Sequence, residues 1–394
     1  MIKIKKSVLI ILLATLLLGA CLAGFSSLSV ANANEQKGIE KAKSAYLIDY
    51  NTGTVLYERN PDQKLPIASM VKIMTLVLAF ESIENGTLSL NQKICVSETA
   101  SGMGGSQMFL DANKEYSVSD LIKGIVVCSA NDASVAIGET ISGSTEEFIE
   151  SMNKKAVALG MLNTVFTNVT GLPEAGHHST ARDVAKMMRE LLKHKEYYNF
   201  SKIYMEDYKH PDGRITELTN TNKLVRFYKG CDAGKTGFTN EAMFCLSASA
   251  ERAGMRVVAT VVGSPDSKSR FAEVTSLFNH AFANYKNEKI IDANKPLENE
   301  ITVLKGKHKT VEIRAENSIH LLQKKGEKLG VSVKINLPET IKAPVKKGDI
   351  VGEILVLNQK GETVAKTNVI CLASVSEMKY GDGLERVLEK FFIK

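Results

Sequence analysis

Ser69 and Lys72 stand three residues apart in Pro66-Ile-Ala-Ser-Met-Val-Lys-Ile-Met-Thr75. A serine and a lysine at this spacing become neighbours if the chain is helical there, because residues i and i+3 share a face. The apolar, helix-compatible run over residues 73–82 predicts such a helix, with Ser69 opening it. A helix N-terminus offers free N–H groups and positive potential, which favours an alkoxide on Ser69 and a neutral amine on Lys72. The chemistry predicted is a hydroxyl nucleophile with a lysine base. The same spacing also describes a solvated lysine near a helix start, so the pair needs support from elsewhere in the chain.

Two further segments carry polar residues in unusual places. Residues 117–141 read as largely helical, but Val127-Cys-Ser-Ala-Asn-Asp132 interrupts the apolar run with Ser129 and Asn131. Residues two apart diverge on a helix. The two side chains share a cleft only on a turn between two helices; otherwise Ser129 simply caps the second helix. Lys235-Thr236-Gly237 lacks the upstream glycine of a phosphate-binding loop, which argues against an NTPase. Two strand-like runs follow, over 242–250 and 256–263. They predict a strand at Lys235-Thr236-Gly237 in the same sheet, with Gly237 leaving room for close approach. The glycine-rich Ser101-Gly-Met-Gly-Gly-Ser106 is not a phosphate loop and reads as a mobile rim or a plain turn. His177 and His178 are neighbours in a loop, so their rings point apart and no metal pair is predicted. No His-Glu-x-x-His motif occurs.

The elements that must hold these residues follow from periodicity and turn chemistry. Two short strand-like runs around Asn51-Thr52-Gly53 predict a hairpin over 44–58. Asn85-Gly86 ends the Ser69 helix, since glycine accepts the left-handed conformation there. An amphipathic helix and an extended Thr164-Val-Phe-Thr-Asn-Val169 come next. Thr180 or Ser179 then caps a helix over 181–193, and another helix covers 268–285. From about Lys289, short β-rich runs alternate with polar turns (301–304, 310–313, 331–335, 350–356 and 363–373), which predicts a small all-β domain over 289–375. In the tail, Leu384, Val387, Leu388, Phe391 and Phe392 share one helical face, and Glu385, Arg386, Glu389, Lys390 and Lys394 take the other. This amphipathic helix over 380–394 is expected to lie on a membrane surface; packing on a partner or on the β domain is the plainer use of the same face.

With 394 residues, 44% hydrophobic and 24% charged, the chain can bury two cores and is not of disordered composition. Lys3, Lys5 and Lys6 precede an apolar run over 8–23, and Ala31-Asn32-Ala33 offers a small-x-small cleavage site. Residues 1–33 therefore read as a signal peptide, which puts the remainder outside the cytoplasm. Leu18-Gly19-Ala20-Cys21 also fits lipidation at Cys21, and the apolar run is close to the shortest bilayer span of about 17 residues. The net charge of +6 falls to +3 without the leader, too little to imply nucleic acid and compatible with anionic membranes or walls. The six cysteines are widely spaced with no Cys-x-x-Cys pair, so neither a metal site nor a disulfide framework is predicted.

Ser69-x-x-Lys72, Ser129-Ala-Asn131 and Lys235-Thr236-Gly237, in that order on an exported chain, form a specific set. The chain resembles the serine D-Ala-D-Ala carboxypeptidases, the low-molecular-mass penicillin-binding proteins. The likeness runs through Ala68-Ser-Met-Val-Lys-Ile-Met-Thr75, Ser129-Ala-Asn-Asp-Ala133, Asn168-Val-Thr-Gly-Leu172 and Gly234-Lys-Thr-Gly-Phe-Thr-Asn-Glu-Ala242, and extends to the β-rich domain and the tail. It implies an α+β fold: a β-lactamase/transpeptidase-like catalytic domain over 34–288, with an antiparallel sheet flanked by helices, followed by the small all-β domain and the C-terminal amphipathic helix.

The resemblance also implies roles. Ser69 would attack the penultimate D-Ala carbonyl of a peptidoglycan stem peptide and form an acyl-enzyme, with Lys72 as base. Ser129 would relay protons to the leaving group, and Asn131 would hold the substrate amide and Lys72. Lys235 would add positive charge and a link to Ser129. Thr236, followed by Gly237, would bind the terminal carboxylate, and Arg270 matches the family's downstream arginine. The backbone N–H groups of Ser69 and Phe238 would form the oxyanion hole, worth ~2.7–4 kcal/mol per donor. β-Lactams would acylate the same serine at the outer face of the cytoplasmic membrane, and no cofactor or metal is implied. Phe238 replaces a histidine found in some members, which leaves that side chain's part in deacylation without an equivalent. A class A β-lactamase is the nearest rival, but it needs a Glu with an Asn four residues on. No Glu between Asn131 and Lys235 has that spacing; Glu150 and Asn153 are three apart. A wall-binding protein with a silent site is disfavoured by the intact polar set.

Overall fold

The computed structural model describes residues 40–379. The leader over 1–33, the alternative at Cys21 and the tail helix over 380–394 lie outside the described residues.

The part that carries Ser69 is built on one antiparallel sheet. In chain order the strands are β1 (Ser44–Asp49), β2 (Val55–Arg59), β3 (Lys93–Cys95), β4 (Glu115–Ser117), β5 (Met205–Lys209), β6 (Ile215–Thr219), β7 (Cys231–Thr239), β8 (Met243–Arg252) and β9 (Met255–Ser264). The five-stranded sheet has the order β2-β1-β9-β8-β7, while β3–β4 and β5–β6 pair as separate small ribbons. All six residues of β1 are buried, as are nine of the ten in β9. Side chains alternate between the faces of a strand, so burial without alternation means that both faces of the central strands are covered. The predicted hairpin at 44–58 is present, the predicted strands over 242–250 and 256–263 form a second hairpin, and the Lys235 segment is the edge strand of their sheet.

The helices that cover it are α1 (Lys72–Glu84), α2 (Val118–Val127), α3 (Asn131–Ser142), α4 (Thr145–Ala158), α5 (Ala181–Leu191) and α6 (Ser267–Asn284). Ile73, Met74, Leu76, Val77, Ala79 and Phe80 of α1 are all buried. A helix that is apolar on nearly every side belongs inside the protein, and α1 packs against α2, α3, α4 and α5. Gly86, at φ +81°, follows its last turn as expected. The Thr180 side chain accepts a hydrogen bond from Asp183 N and caps α5. The segment over 164–169 stays extended without joining a sheet; Val165 makes only an isolated bridge to His178.

Helix α6 runs without a loop into β10 (Tyr285–Ile291). The β-rich part continues with β11 (Pro296–Leu304), β12 (Thr310–Ala315), β13 (Ile319–Lys324), β14 (Ser332–Asn336), β15 (Thr340–Lys342), β16 (Ile350–Leu357) and β17 (Thr363–Cys371). Six of these form a sheet in the order β14-β16-β17-β12-β11-β15, and β10 pairs with β13. Ile301, Val303, Val311, Ile313, Ile354, Val369 and Cys371 fill a core of their own. The alternation of apolar and polar residues made these strands readable; β10, β13 and β15, with weaker alternation, were not anticipated. Cys95, Cys128, Cys231, Cys245 and Cys371 are all free thiols.

Candidate active site

Ser69 does not open the α-helix itself. It lies in a 3₁₀ turn, Ala68–Val71, that leads into α1 at Lys72. The effect on geometry is small, because i and i+3 eclipse in a 3₁₀ turn. Lys72 Nζ lies within hydrogen-bond reach of Ser69 Oγ at 2.9 Å and donates to the Thr170 carbonyl at 2.7 Å. Lys72 is fully buried, and both hydrogen-bond partners are neutral. Burial, then the nearby charge of Lys235, pushes its pKa well below the ordinary lysine value; Cys128 and then Asp132 oppose this weakly. Asp132 is itself committed to the backbone N–H groups of Met108 and Leu110.

Ser129 and Asn131 meet the condition set by their spacing. Ser129 sits in the break between α2 and α3 at φ +66°, and Ala68, directly before Ser69, is at φ +47°. Non-glycine residues in this region cost about 1–3 kcal/mol each, and both strained positions flank the proposed chemistry. Lys235 Nζ donates to Ser129 Oγ at 2.6 Å and to the Thr236 carbonyl at 3.2 Å. Burial lowers the Lys235 pKa to about 7, helped by the charge of Arg270 and opposed by Cys128. The Cys128 thiol, beside Ser129, is pushed up to about 11 by burial, which makes it no rival nucleophile at neutral pH.

Gly237 explains why the strand and the Ser69 turn can touch. A Cβ there would lie 2.5 Å from the Ile67 carbonyl and 3.2 Å from Ser69 N. Gly171, at φ +81°, closes the other side: its Cβ would lie 2.1 Å from the Ala68 carbonyl and 2.9 Å from Ser69 N. Neither glycine puts a side chain of its own beside the Ser69 N–H. Thr236 is buried in β7, whose outer edge no strand of the sheet covers. Phe238 is half exposed and its ring packs on Phe244, with centroids 4.4 Å apart. Arg270, buried on α6, turns its guanidinium to the carbonyls of Gly237 and Cys245, both at 3.3 Å. Burial holds its pKa down at about 10, with Cys245 opposing.

Asn131 differs from the expectation that it holds Lys72. Its Nδ2 donates to the Gly104 carbonyl at 2.6 Å, and its Oδ1 is buried without a hydrogen-bond partner. The glycine-rich loop, expected to be a mobile rim or a plain turn, reaches the site: Gly104 occupies the Asn131 amide donor, and a Cβ on Gly105 would meet Asn131 Nδ2 at 2.8 Å. The position that takes Lys72 is Thr170. Sequence reasoning singled out Asn168-Val-Thr-Gly-Leu172 but assigned no role in it, because a backbone carbonyl has no sequence signature. The adjacent Gly171 was the available signal.

Comparison with known proteins follows the same lines. Residues 30–266 match the Peptidase S11 family, D-alanyl-D-alanine carboxypeptidase, and residues 285–377 match the penicillin-binding protein 5 C-terminal domain. The D-alanyl-D-alanine carboxypeptidase DacF of Bacillus subtilis is 41% identical over 96% of this chain and 97% of its own. DacA of Escherichia coli is 31% identical, covering 85% of this chain and 84% of its own. The crystal structure of penicillin binding protein 5 from Haemophilus influenzae superposes with a TM-score of 0.65 at 32% identity, over 86% of this chain and 98% of that one.

Proposed function

The chain belongs to the D-alanyl-D-alanine carboxypeptidase family, and from that premise we propose which of its residues carry the reaction. It is a serine-type D-Ala-D-Ala carboxypeptidase that acts on peptidoglycan and binds β-lactams. In the proposed mechanism Ser69 Oγ attacks the carbonyl carbon of the penultimate D-Ala while its proton passes to neutral Lys72. The oxyanion is met by the N–H groups of Ser69 and Phe238. Collapse expels the amine of the terminal D-Ala, which takes its proton by way of Ser129, and water then hydrolyses the acyl-enzyme. The substrate backbone adds along the open edge of β7 as an extra strand. Lys235 and Thr236 hold its carboxylate, with Gly237 keeping the strand close and Arg270 bracing β7 from behind. Asn131 takes the substrate amide once Gly104 releases Nδ2.

The observation that carries this reading is Lys72: an amine with neutral partners, fully desolvated, 2.9 Å from a serine hydroxyl. A lysine kept for structure would be paired with a carboxylate, because an unpaired buried ammonium is costly. The loop that faces Lys72 also argues against a β-lactamase. It presents the Thr170 carbonyl, and its one glutamate, Glu174, is hydrogen-bonded to Asn168 Nδ2 at 2.8 Å. The test is labelled penicillin on wild type and Ser69→Ala, with release of D-Ala from a pentapeptide as the second readout. An unlabelled wild type, or equal labelling of Ser69→Ala, would sink it; transfer to an added amine would point to transpeptidation.

We also propose export by the leader over 1–33 and attachment of the 380–394 helix to the outer face of the cytoplasmic membrane. Among the described residues no helix is long and apolar enough to cross a membrane. Deleting 380–394 should move the protein to the soluble fraction; no movement would overturn the attachment.

A further inference from the structure

The turn that presents the Thr170 carbonyl to Lys72 is organised by one side chain. Asn168 Oδ1 accepts from Thr170 N at 3.2 Å, from Thr170 Oγ1 at 3.2 Å and from Gly171 N at 2.7 Å. Its Nδ2 donates to the Leu172 carbonyl at 3.0 Å and to Glu174 Oε2 at 2.8 Å. Other groups hold the rest of the loop, and within the turn Thr75 Oγ1 adds one longer hydrogen bond, to the Val169 carbonyl at 3.4 Å. Asn153 bonds both backbone atoms of Phe166, and His177 Nδ1 meets Thr167 N at 3.1 Å. Burial lowers the His177 pKa to about 4, so at neutral pH that ring is an uncharged acceptor. Residues 170–171 therefore take their orientation from Asn168, while Gly171 lies flush on the backbone of the Ser69 turn with no room for a Cβ.

We propose that Asn168 is a positioning residue that aims the Lys72 amine at Ser69 by fixing the Thr170 carbonyl. This rests on the reading of Lys72 as the base. A neutral amine has two N–H bonds and one lone pair. With one N–H pinned on the Thr170 carbonyl, rotation about the Cε–Nζ bond is stopped, and the lone pair can be kept toward the Ser69 hydroxyl 2.9 Å away. If the carbonyl turns away, the amine rotates freely and spends part of its time with a hydrogen toward Ser69. Binding of substrate along β7 involves none of these groups, so the effect falls on the acylation step.

The test measures the acylation rate constant and the non-covalent dissociation constant of labelled penicillin for wild type, Asn168→Ala, Glu174→Gln and Asn168→Asp/Glu174→Gln. The double variant loses the hydrogen bond to the Leu172 carbonyl but keeps the oxygen that accepts from residues 170 and 171, and the amide introduced by Glu174→Gln can donate to the new carboxylate. Asn168→Ala should acylate about 10- to 100-fold more slowly with its dissociation constant within about threefold, whereas Glu174→Gln and the double variant should stay within about threefold of wild type in both. A folded Asn168→Ala that acylates at the wild-type rate, or a folded double variant as slow as alanine, overturns the inference. Should Asn168→Ala fail to fold, the double variant decides by the same criterion. A wild type that is not acylated on Ser69 would bring down the reading of the site; a normal wild type with an indifferent Asn168→Ala brings down this inference alone.

Discussion

Two lysines held by neighbouring helices have opposite fates. Lys72, at the buried end of α1, has a serine and a carbonyl for partners, and burial drives its pKa down. Lys155, on α4, is also partly buried, and burial alone would lower it too. There, Glu81 near the far end of α1 and Glu190 of α5 supply hydrogen bonds and charge that outweigh burial and raise the pKa. Depth alone does not decide the protonation state of a lysine; the presence of a carboxylate does. In the proposed site three basic side chains (Lys72, Lys235 and Arg270) lie buried, and the hydrogen bonds of all three go to neutral atoms. Such an arrangement costs stability and makes sense where an anionic substrate end and a neutral base are required.

Removing the extreme member of the comparison should have the largest effect. Lys72→Ala should slow acylation of Ser69 by about 10²–10⁴-fold, the usual worth of a positioned base, read by penicillin labelling rates. A loss under about tenfold would mean another group accepts the proton. Gly237→Ala should come next. Its Cβ has no room against the Ile67 carbonyl and Ser69 N, and disturbing an oxyanion donor typically costs ~2.7–4 kcal/mol, or about 10²–10³-fold in rate.

The pH dependence sharpens the contrast. As the proposed base Lys72 works only when neutral, so kcat/KM should fall as pH drops through its lowered pKa. The rising limb should therefore lie clearly below the ~10.4 of an ordinary lysine. A limb near ~10.4 would contradict the role of burial. Lys235 affects stability in the same sense. Its pKa is about 7 in the fold against ~10.4 when unfolded, so between these values the unfolded chain binds more protons and stability rises with pH. Lys235→Met should flatten this slope, to which Lys72 adds in the same sense, in Tm measurements across that window, while also losing substrate turnover. An unchanged slope would refute the assignment. The smallest effect belongs to the paired lysine. Lys155→Ala should cost about 1 kcal/mol or less in thermal or denaturant unfolding, as partly exposed pairs do, and leave acylation at the wild-type rate. A matching loss of activity would erase the distinction.

Much of this was legible before any coordinates. The β hairpins, the largely apolar α1, the caps at Thr180 and Gly86 and the β-rich C-terminal part follow from local patterns, because periodicity and turn chemistry act over a few residues. Ser69, Lys72, Ser129 and Lys235 could be picked out by type and spacing, and the structure brings them together. The turn between α2 and α3 was stated as a condition for Ser129 and Asn131 and is met. The partner of Asn131, the docking of the glycine-rich loop and the Thr170 carbonyl at Lys72 were not legible. These contacts join segments from 27 to 98 residues apart, mostly through backbone atoms whose direction only packing sets.

The chain itself determined that Ser69 and Lys72 would be neighbours, since three residues in one helical turn can hardly be otherwise. It also determined that an apolar helix would carry the lysine inward. Tertiary structure alone decided what that lysine would meet there. Helix α1 brought it to a carbonyl and α4 brought Lys155 to two carboxylates, and charge state follows from the neighbours that folding supplies.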